Sequence, residues 1–425
     1  MKISKVNKLE GIITVPADKS ITHRAVMLSS LADGISEIDN YLDSADCIST
    51  MNAFKSMGVN IIKEDKRLII KGAGLRGLKK PQANIDAGNS GTTTRLLSGV
   101  LCGQNFSSTV FGDESLSLRP MKRVIEPLRL MGADIKAKDD NYLPMTINSS
   151  GKLNSIEYTS KVASAQVKSC VLFAGLYADG ITKFTEPEKS RDHTEKMLEA
   201  YGADIKVSGL TVSVKKCEKL YAQNIKIPSD ISSAAFFMVA GCIVGNSKII
   251  IKEVNINRTR AGIICVLKKM GAKVTIQNIK DVSGEEVADI EVLSSSLKAV
   301  NINEEIMPSL IDEIPVIALC ATQAEGTTVI SGAKELRVKE SDRIKTVASQ
   351  LLKMGADIKE TEDGLIIKGK TKLKGAEVDS FKDHRIAMML SIAALIAEGH
   401  TVIKDSDCVN ISFANFYEIL KSICR

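Results

Sequence analysis

Four stretches of this chain set small or polar residues beside basic ones. They read D-K-S-I-T-H-R from Asp18 to Arg24, G-N-S-G-T-T-T-R from Gly88 to Arg95, R-V-K-E-S-D-R from Arg337 to Arg343, and K-D-H-R from Lys382 to Arg385. Each reads as the entry to a helix. Free N–H groups and the helix dipole attract anions at such places, and Lys or Arg adds charge and, for Arg, bidentate geometry. A single arginine in a first turn is usually a solvated surface charge. Several on otherwise apolar helices are harder to dismiss, because a buried cation needs a partner. Carboxylates share these neighbourhoods: Asp312-Glu313 opens an apolar run, and Glu340 stands between Lys339 and Arg343. Capping with salt bridging, or general acid–base work, would both use such carboxylates, and the sequence leaves both open. The glycines of residues 88–91 serve a turn or a close ligand approach equally well, and His23 and His384 fit core positions as well as chemistry.

The elements that must position these residues follow from a repeat. A short phrase recurs as Met57-Gly58-Val59, Met131-Gly132-Ala133, Tyr201-Gly202-Ala203, Met270-Gly271-Ala272 and Met354-Gly355-Ala356, at spacings of 69 to 84 residues. Each closes a helical pattern, with glycine in the left-handed conformation, and a β-rich stretch follows. The pattern predicts six helix pairs. The first helices, apolar nearly all round and therefore buried, span 20–32, 90–102, 164–178, 232–244, 312–324 and 383–397. The second, amphipathic helices span 46–57, 120–131, 191–201, 258–270, 341–354 and 412–423. The fold class is therefore α/β (α+β). Val15-Pro16-Ala17-Asp18-Lys19-Ser20 is echoed by Ile227-Pro228-Ser229-Asp230-Ile231-Ser232. With three units per domain, the echo predicts one domain at 18–226, a second at 227–425 plus 1–17, and hinges near 14–18 and 226–230 that permit closure on a ligand.

Composition narrows the function classes. With 44% hydrophobic and 25% charged residues in a chain of 425, disorder is excluded. No Trp and 4% aromatic residues argue against stacking platforms for single-stranded nucleic acid. The net charge of +6 is spread along the chain and suits a small anionic ligand. Nine cysteines occur singly without C-x-x-C, which indicates neither a metal site nor a redox pair and points to a reducing, cytoplasmic compartment. The start, MKISKVNKLEG, has no apolar signal-type run, and the longest apolar runs are too short to span a bilayer.

Taken together, P-A-D-K-S-I-T-H-R, G-N-S-G-T-T-T-R, G-D-E-S-L-S-L-R-P-M (Gly112 to Met121), S-A-Q (Ser164 to Gln166), I-D-E-I-P (Ile311 to Pro315), K-E-S-D-R and D-H-R-I-A-M make the chain resemble the 5-enolpyruvylshikimate-3-phosphate synthase family along essentially its whole length. The resemblance implies two domains of three βαβαββ-type units, with buried helices aimed at an interdomain cleft. It implies enolpyruvyl transfer from phosphoenolpyruvate to the 5-hydroxyl of shikimate 3-phosphate in aromatic amino acid (chorismate) biosynthesis, with no metal and no cofactor. It further implies a cytoplasmic monomer with small-molecule partners only, and a target of glyphosate at the phosphoenolpyruvate site. Carried over by position, Lys19, Ser20, Arg24, Ser164, Ala165, Gln166, Arg191, Asp312 and Lys339 match shikimate 3-phosphate contacts. Lys19, Asn89, Gly91, Thr92, Arg119, Gln166, Arg343 and Arg385 match the phosphoenolpyruvate site. Asp312 matches the carboxylate that takes the 5-hydroxyl proton, Glu340 the group that protonates the methylene carbon, and Lys19 the lysine touching both substrates.

Two positions depart from some relatives. Ala165 stands where another branch has a second Ser, with Arg191 as the substitute contact, and Ile411 stands where some relatives carry a Lys. The rivals are fewer. The UDP-N-acetylglucosamine enolpyruvyl transferases usually carry a Cys in the loop that here reads Gly112-Asp113-Glu114-Ser115-Leu116-Ser117, and an Asn where Ser20 follows Lys19. RNA 3′-phosphate cyclases need a nucleophilic His and suit a basic run absent here. A non-catalytic binding protein would not need Lys19, Asp312 and Glu340 together.

Overall fold

Two lengths of chain cross between two compact units. In the computed structural model, which describes residues 1–425, one unit comprises Ala17–Ile227 and the other Met1–Pro16 with Pro228–Arg425. Each has its own apolar core.

The second repeat of the Ala17–Ile227 unit shows the building rule. Strand Ile85–Asp86 leads into the buried helix Gly91–Cys102, then strand Ser107–Phe111, the amphipathic helix Lys122–Leu130, and a hairpin of Asp134–Lys138 and Tyr142–Asn148. The leading strand pairs parallel with Ser107–Phe111, which pairs antiparallel with the second hairpin strand. Five four-stranded sheets follow this order, the sheet of the sixth repeat has three strands, and Leu153–Asn154 with Ala178–Asp179 makes a separate two-stranded pair. The glycine of every repeated phrase has a positive φ, at Gly58, Gly132, Gly202, Gly271 and Gly355, so each closes its amphipathic helix in the conformation a side chain disfavours.

Two repeats take their leading strand from a distant part of the chain. Ile225–Lys226 pairs with Ile35–Asp39 in the first repeat, and Glu10–Ile13 pairs with Lys248–Asn255 in the fourth. The sixth repeat has no hairpin of its own. Its sheet is completed by Lys2–Ser4 against His400–Lys404, and the chain ends in helix Phe416–Ile423.

The twelve helices exist, with corrected ends. The buried ones are Lys19–Leu31, Gly91–Cys102, Ala165–Gly175, Ile231–Ile243, Ile314–Thr322 and His384–Ala394. The helix expected over 164–178 stops at Gly175, because Ala178–Asp179 is drawn into parallel pairing with Leu153–Asn154. The helix expected from 312 opens as a 3-10 turn, Ile311–Glu313, before the α-helix that carries Pro315 in its first turn. The amphipathic helices are Ala45–Ser56, Lys122–Leu130, His193–Ala200, Gly262–Lys269, Arg343–Lys353 and Phe416–Ile423. The one expected from 258 starts late because the Asn257 side chain accepts the Thr259 N–H at 2.9 Å and holds a turn there. The last starts at Phe416 because a 3-10 segment, Ser406–Ile411, precedes it. Several expected first residues serve instead as caps: Ser90, Ser164 and Asp383 each accept an N–H of the turn they precede.

Candidate active site

In the Ala17–Ile227 unit, three capped buried helices carry the expected residues at or near their first turns. Asp18 caps the helix of Lys19, Ser20 and Arg24 by accepting the Ile21 N–H at 2.9 Å. The Lys19 ammonium lies 3.0 Å from an Asp46 carboxylate oxygen. Arg24 is buried and donates to Thr194 Oγ1 at 2.6 Å, to Ser169 Oγ at 2.8 Å and to the Ser20 carbonyl at 3.0 Å. Arg191 reaches Ser20 Oγ at 3.5 Å. Ser164 caps the helix that begins at Ala165, and the Ala165 carbonyl accepts from Ser169 Oγ.

A second group in the same unit surrounds the glycine-rich loop. Arg119 donates to Asn89 Oδ1 at 2.7 Å, and Asn89 donates to Asp113 at 2.7 Å. Gln166 donates to Thr92 Oγ1 at 3.0 Å and accepts from Arg95 at 2.8 Å. A methyl added at Gly91 would stand 2.9 Å from Arg95 Nη1 and 3.7 Å from Arg119 Nη1, so this glycine keeps open the space beside two guanidinium groups. His23 lies behind the helix starts. Its Nδ1 bonds Thr50 Oγ1 at 2.7 Å, Thr50 bonds Thr93 at 2.7 Å, and burial pushes its pKa down to about 3, so the ring is neutral. That makes His23 a core histidine.

The other unit gathers the remaining expected residues around one arginine. Arg343, buried at the start of its helix, donates Nε to Asp383 Oδ2 at 2.8 Å and Nη2 to Glu340 at 2.6 Å, and its Nη1 lies 3.6 Å from Asp312 Oδ1. Lys339 Nζ stands 3.6 Å from the same oxygen, and Arg385 Nη2 stands 3.8 Å from Asp312 Oδ2. Arg385 also donates to the Asp312 carbonyl at 3.1 Å. Burial alone would raise the Asp383 carboxyl, but the Arg343 guanidinium outweighs it and holds the group below the ordinary carboxylate range. The same carboxylates outweigh burial at Arg343 and push its pKa up, so it stays charged. Arg337 has a different task. It donates to the Thr361 and Glu362 carbonyls and to Asp342, and so fastens a turn to a hairpin. Ile411 ends the 3-10 segment and is half-buried.

Arg95 closes one of the cationic helix starts but took no substrate role from the sequence, and Asp46, Asp113 and Asp383 took none either. Arg95 could have been given one, since it closes the G-N-S-G-T-T-T-R stretch as Arg24 closes the first. Asp383 could have been taken from K-D-H-R, but nothing local says that it would hold Arg343.

These groups can bind oxyanions and move protons, and comparison with known proteins narrows the chemistry. The family model described as EPSP synthase (3-phosphoshikimate 1-carboxyvinyltransferase) matches residues 3–420. The chain belongs to the EPSP synthase family. It is 57% identical over 430 aligned positions to the 3-phosphoshikimate 1-carboxyvinyltransferase of Endomicrobium trichonymphae, covering 100% of both. It is 52% identical over 420 positions to that of Bacillus thuringiensis subsp. konkukian, covering 99% of this chain and 98% of the relative. The solved EPSP synthase of Acinetobacter baumannii superimposes with a TM-score of 0.90 at 44% identity, covering 100% of this chain and 98% of that one. The fold is therefore that of the EPSP synthases. Neither UDP-N-acetylglucosamine transfer nor RNA cyclisation draws support from these relatives. No helix is long and apolar enough to cross a membrane.

Proposed function

We propose that this protein transfers the enolpyruvyl group of phosphoenolpyruvate to the 5-hydroxyl of shikimate 3-phosphate and releases inorganic phosphate. The observation that carries the reading is Arg343: one buried guanidinium lies 2.6 Å from Glu340 and 3.6 Å from Asp312. An acid and a base gathered at one fixed cation suit an addition across a double bond, where two neighbouring atoms change protonation together.

In this reading Asp312 accepts the 5-hydroxyl proton as that oxygen attacks C2 of phosphoenolpyruvate. Glu340 delivers a proton to the methylene carbon, which becomes a methyl group on a tetrahedral intermediate. A methyl proton then returns to Glu340, the C–O bond to phosphate breaks as the leaving phosphate takes up the proton held by Asp312, and the double bond reforms. Arg343 and Arg385, with Arg119, Gln166, Lys19 and the backbone from Asn89 to Thr92, hold phosphoenolpyruvate. Ser20, Arg24, Ser164, Ala165, Gln166, Arg191 and Lys339, with Lys19, hold shikimate 3-phosphate. The substrates supply two phosphates and two carboxylates, which explains the number of cations and capped helix starts. A monomer working in the cytoplasm, where its nine free thiols stay reduced, completes the proposal.

Phosphate release from phosphoenolpyruvate tests it, with shikimate 3-phosphate and UDP-N-acetylglucosamine compared as acceptors. Release with shikimate 3-phosphate alone is expected. Release with the nucleotide sugar, or with neither, would overturn the reading.

A further inference from the structure

Directly after Asp312, in the 3-10 turn Ile311–Glu313, lies a carboxyl group that the proposed chemistry does not use. Glu313 is 1% exposed. It accepts a hydrogen bond from Ser232 Oγ, in the first turn of helix Ile231–Ile243. Arg260 donates to the same Ser232 oxygen at 2.9 Å and to Asp230 Oδ1 at 3.1 Å, and Asp230 accepts the Ser232 N–H at 2.8 Å. Ser232, Arg260 and Asp230 are all buried.

We propose that Glu313 is a positioning residue: its bond to Ser232 fixes the turn that aims the Asp312 carboxylate. The inference rests on the reading of Asp312 as the proton acceptor. The turn is gripped on two sides. Arg385 holds the Asp312 carbonyl at 3.1 Å, and Ser232 holds the Glu313 side chain. Between these grips the Asp312 carboxylate, 14% exposed, faces Lys339, Arg343 and Arg385.

The helix that follows does not call for a carboxyl at residue 313. It is apolar, running Ile314-Pro315-Val316-Ile317-Ala318-Leu319, and an apolar side chain at residue 313 would extend that buried face. Burial pushes the Glu313 carboxyl up, opposed by the guanidinium groups of Arg385 and Arg260, so the position carries a desolvation cost that a leucine would not. Local costs of this kind gather where geometry has to be fixed for function.

The test is a kinetic double-mutant cycle on the full chain, measured in steady state with phosphoenolpyruvate and shikimate 3-phosphate. Glu313→Leu fills the volume without accepting the Ser232 hydroxyl. It is expected to lower turnover by about 10- to 100-fold while both KM values stay within about threefold, because a displacement near 1 Å can cost this much. Glu313→Gln keeps the acceptor and should retain most turnover. In an Asp312→Asn background the Glu313→Leu loss should vanish, since the residue acts through Asp312. If Glu313→Leu does not fold, Ser232→Ala removes the bond from its other end and should give a smaller turnover loss with the same dependence on Asp312. Equal losses in both backgrounds, or raised KM values with unchanged turnover, overturn the positioning role and leave the proposed reaction intact. Full turnover by Asp312→Asn alone overturns the proton-acceptor reading and the positioning role together.

Discussion

The arginines at the expected site positions are held differently in the two units, although Lys19 and the buried Lys168 of Ala17–Ile227 also meet carboxylates. In Ala17–Ile227, the contacts that fix Arg24, Arg95 and Arg119 include hydroxyls, side-chain amides and main-chain carbonyls. In the other unit Arg343 is fixed by carboxylates on three sides: Asp383, Glu340 and Asp312. A neutral acceptor orients a guanidinium at a modest cost and is replaceable. A buried carboxylate partner makes the pair strongly interdependent, because either charge left alone in the interior is expensive. The first arrangement suits residues that only bind anions. The second suits a centre where proton-transfer groups must be kept at a fixed distance from one cation. The comparison makes the Arg343 cluster the more brittle of the two.

The largest expected effect breaks that cluster at its hub. Asp383 is fully buried, accepts from Arg343 and Ser341, and caps the helix of Arg385 through that residue's own N–H at 2.9 Å. Asp383→Ala should destabilise its unit by about 3–5 kcal/mol, the cost of breaking a buried ion pair. Asn89→Ala, which removes a neutral partner of Arg119 in the other unit, should cost about 1 kcal/mol. Denaturant unfolding measures both, and equal losses would erase the distinction between the units.

Next in size are the two carboxylates at Arg343. Asp312→Asn and Glu340→Gln should each lower kcat by about 10²-fold or more, about 2.7 kcal/mol in the barrier, with substrate affinity largely kept. Steady-state kinetics with equilibrium binding of shikimate 3-phosphate separates the two effects. Near-normal turnover would return both residues to capping and salt bridging, and the unit would then differ from its neighbour in stability alone.

What the sequence disclosed about these units depended on range. The six helix pairs and the cationic helix starts were legible because periodicity, caps and the recurring glycine are local signals. The partners were not. Arg343 finds Asp383 40 residues on, Arg95 finds Gln166 71 residues on, and Ser232 finds Glu313 81 residues on. The echo of residues 15–20 at 227–232 assigned residues 1–17 to the second domain, but the strands that Glu10–Ile13 and Ile225–Lys226 pair with were not legible. Glu10–Ile13 is four residues long, and its partner Lys248–Asn255 lies more than 230 residues away, so no local pattern ties them. The substrate assignment came from the family motifs, because a set of cations identifies an anion site without identifying the anion.

A third prediction uses acid to sharpen the contrast. His23 is held neutral with a folded pKa of about 3, while the unfolded ring takes up its proton near about 6.5. Between those values the unfolded chain binds the extra proton, so stability falls as pH is lowered through this window, by up to about 1.4 kcal/mol per pH unit. Glu195, raised by burial in the same unit, works in the opposite direction, so His23→Gln isolates the histidine. Asp383 has a depressed pKa, and its contribution is present above the unfolded value of about 3.9 and lost as pH falls further. Hydrogen exchange read separately over each unit at pH 7 and pH 5 should show protection falling first in Ala17–Ile227, and His23→Gln should remove much of that fall. An earlier loss in the Arg343 unit would reverse the ordering.

The smallest effect on the enzyme itself is expected at Gly91, where the binding side of the comparison is tested without touching a charge. The backbone there needs no glycine for its own conformation, since Gly91 lies in a helical first turn and not in the left-handed region. What a methyl group meets is Arg95 Nη1 at 2.9 Å, the far end of a flexible side chain, with Arg119 Nη1 and Leu116 Cδ1 at 3.7 Å. Arg95 can shift by a few tenths of an ångström, so Gly91→Ala should change stability by under about 1 kcal/mol. The methyl would still narrow the space beside both guanidinium groups. Glyphosate, longer than phosphoenolpyruvate, should be crowded more than the natural substrate. The ratio of the glyphosate inhibition constant to the KM for phosphoenolpyruvate should therefore rise by about tenfold or more, which is about 1.4 kcal/mol of discrimination. Competition kinetics on wild type and Gly91→Ala measures it. An unchanged ratio with lowered stability would mean that Gly91 serves the packing of Arg95 alone, and would take Gly91 out of the proposed site.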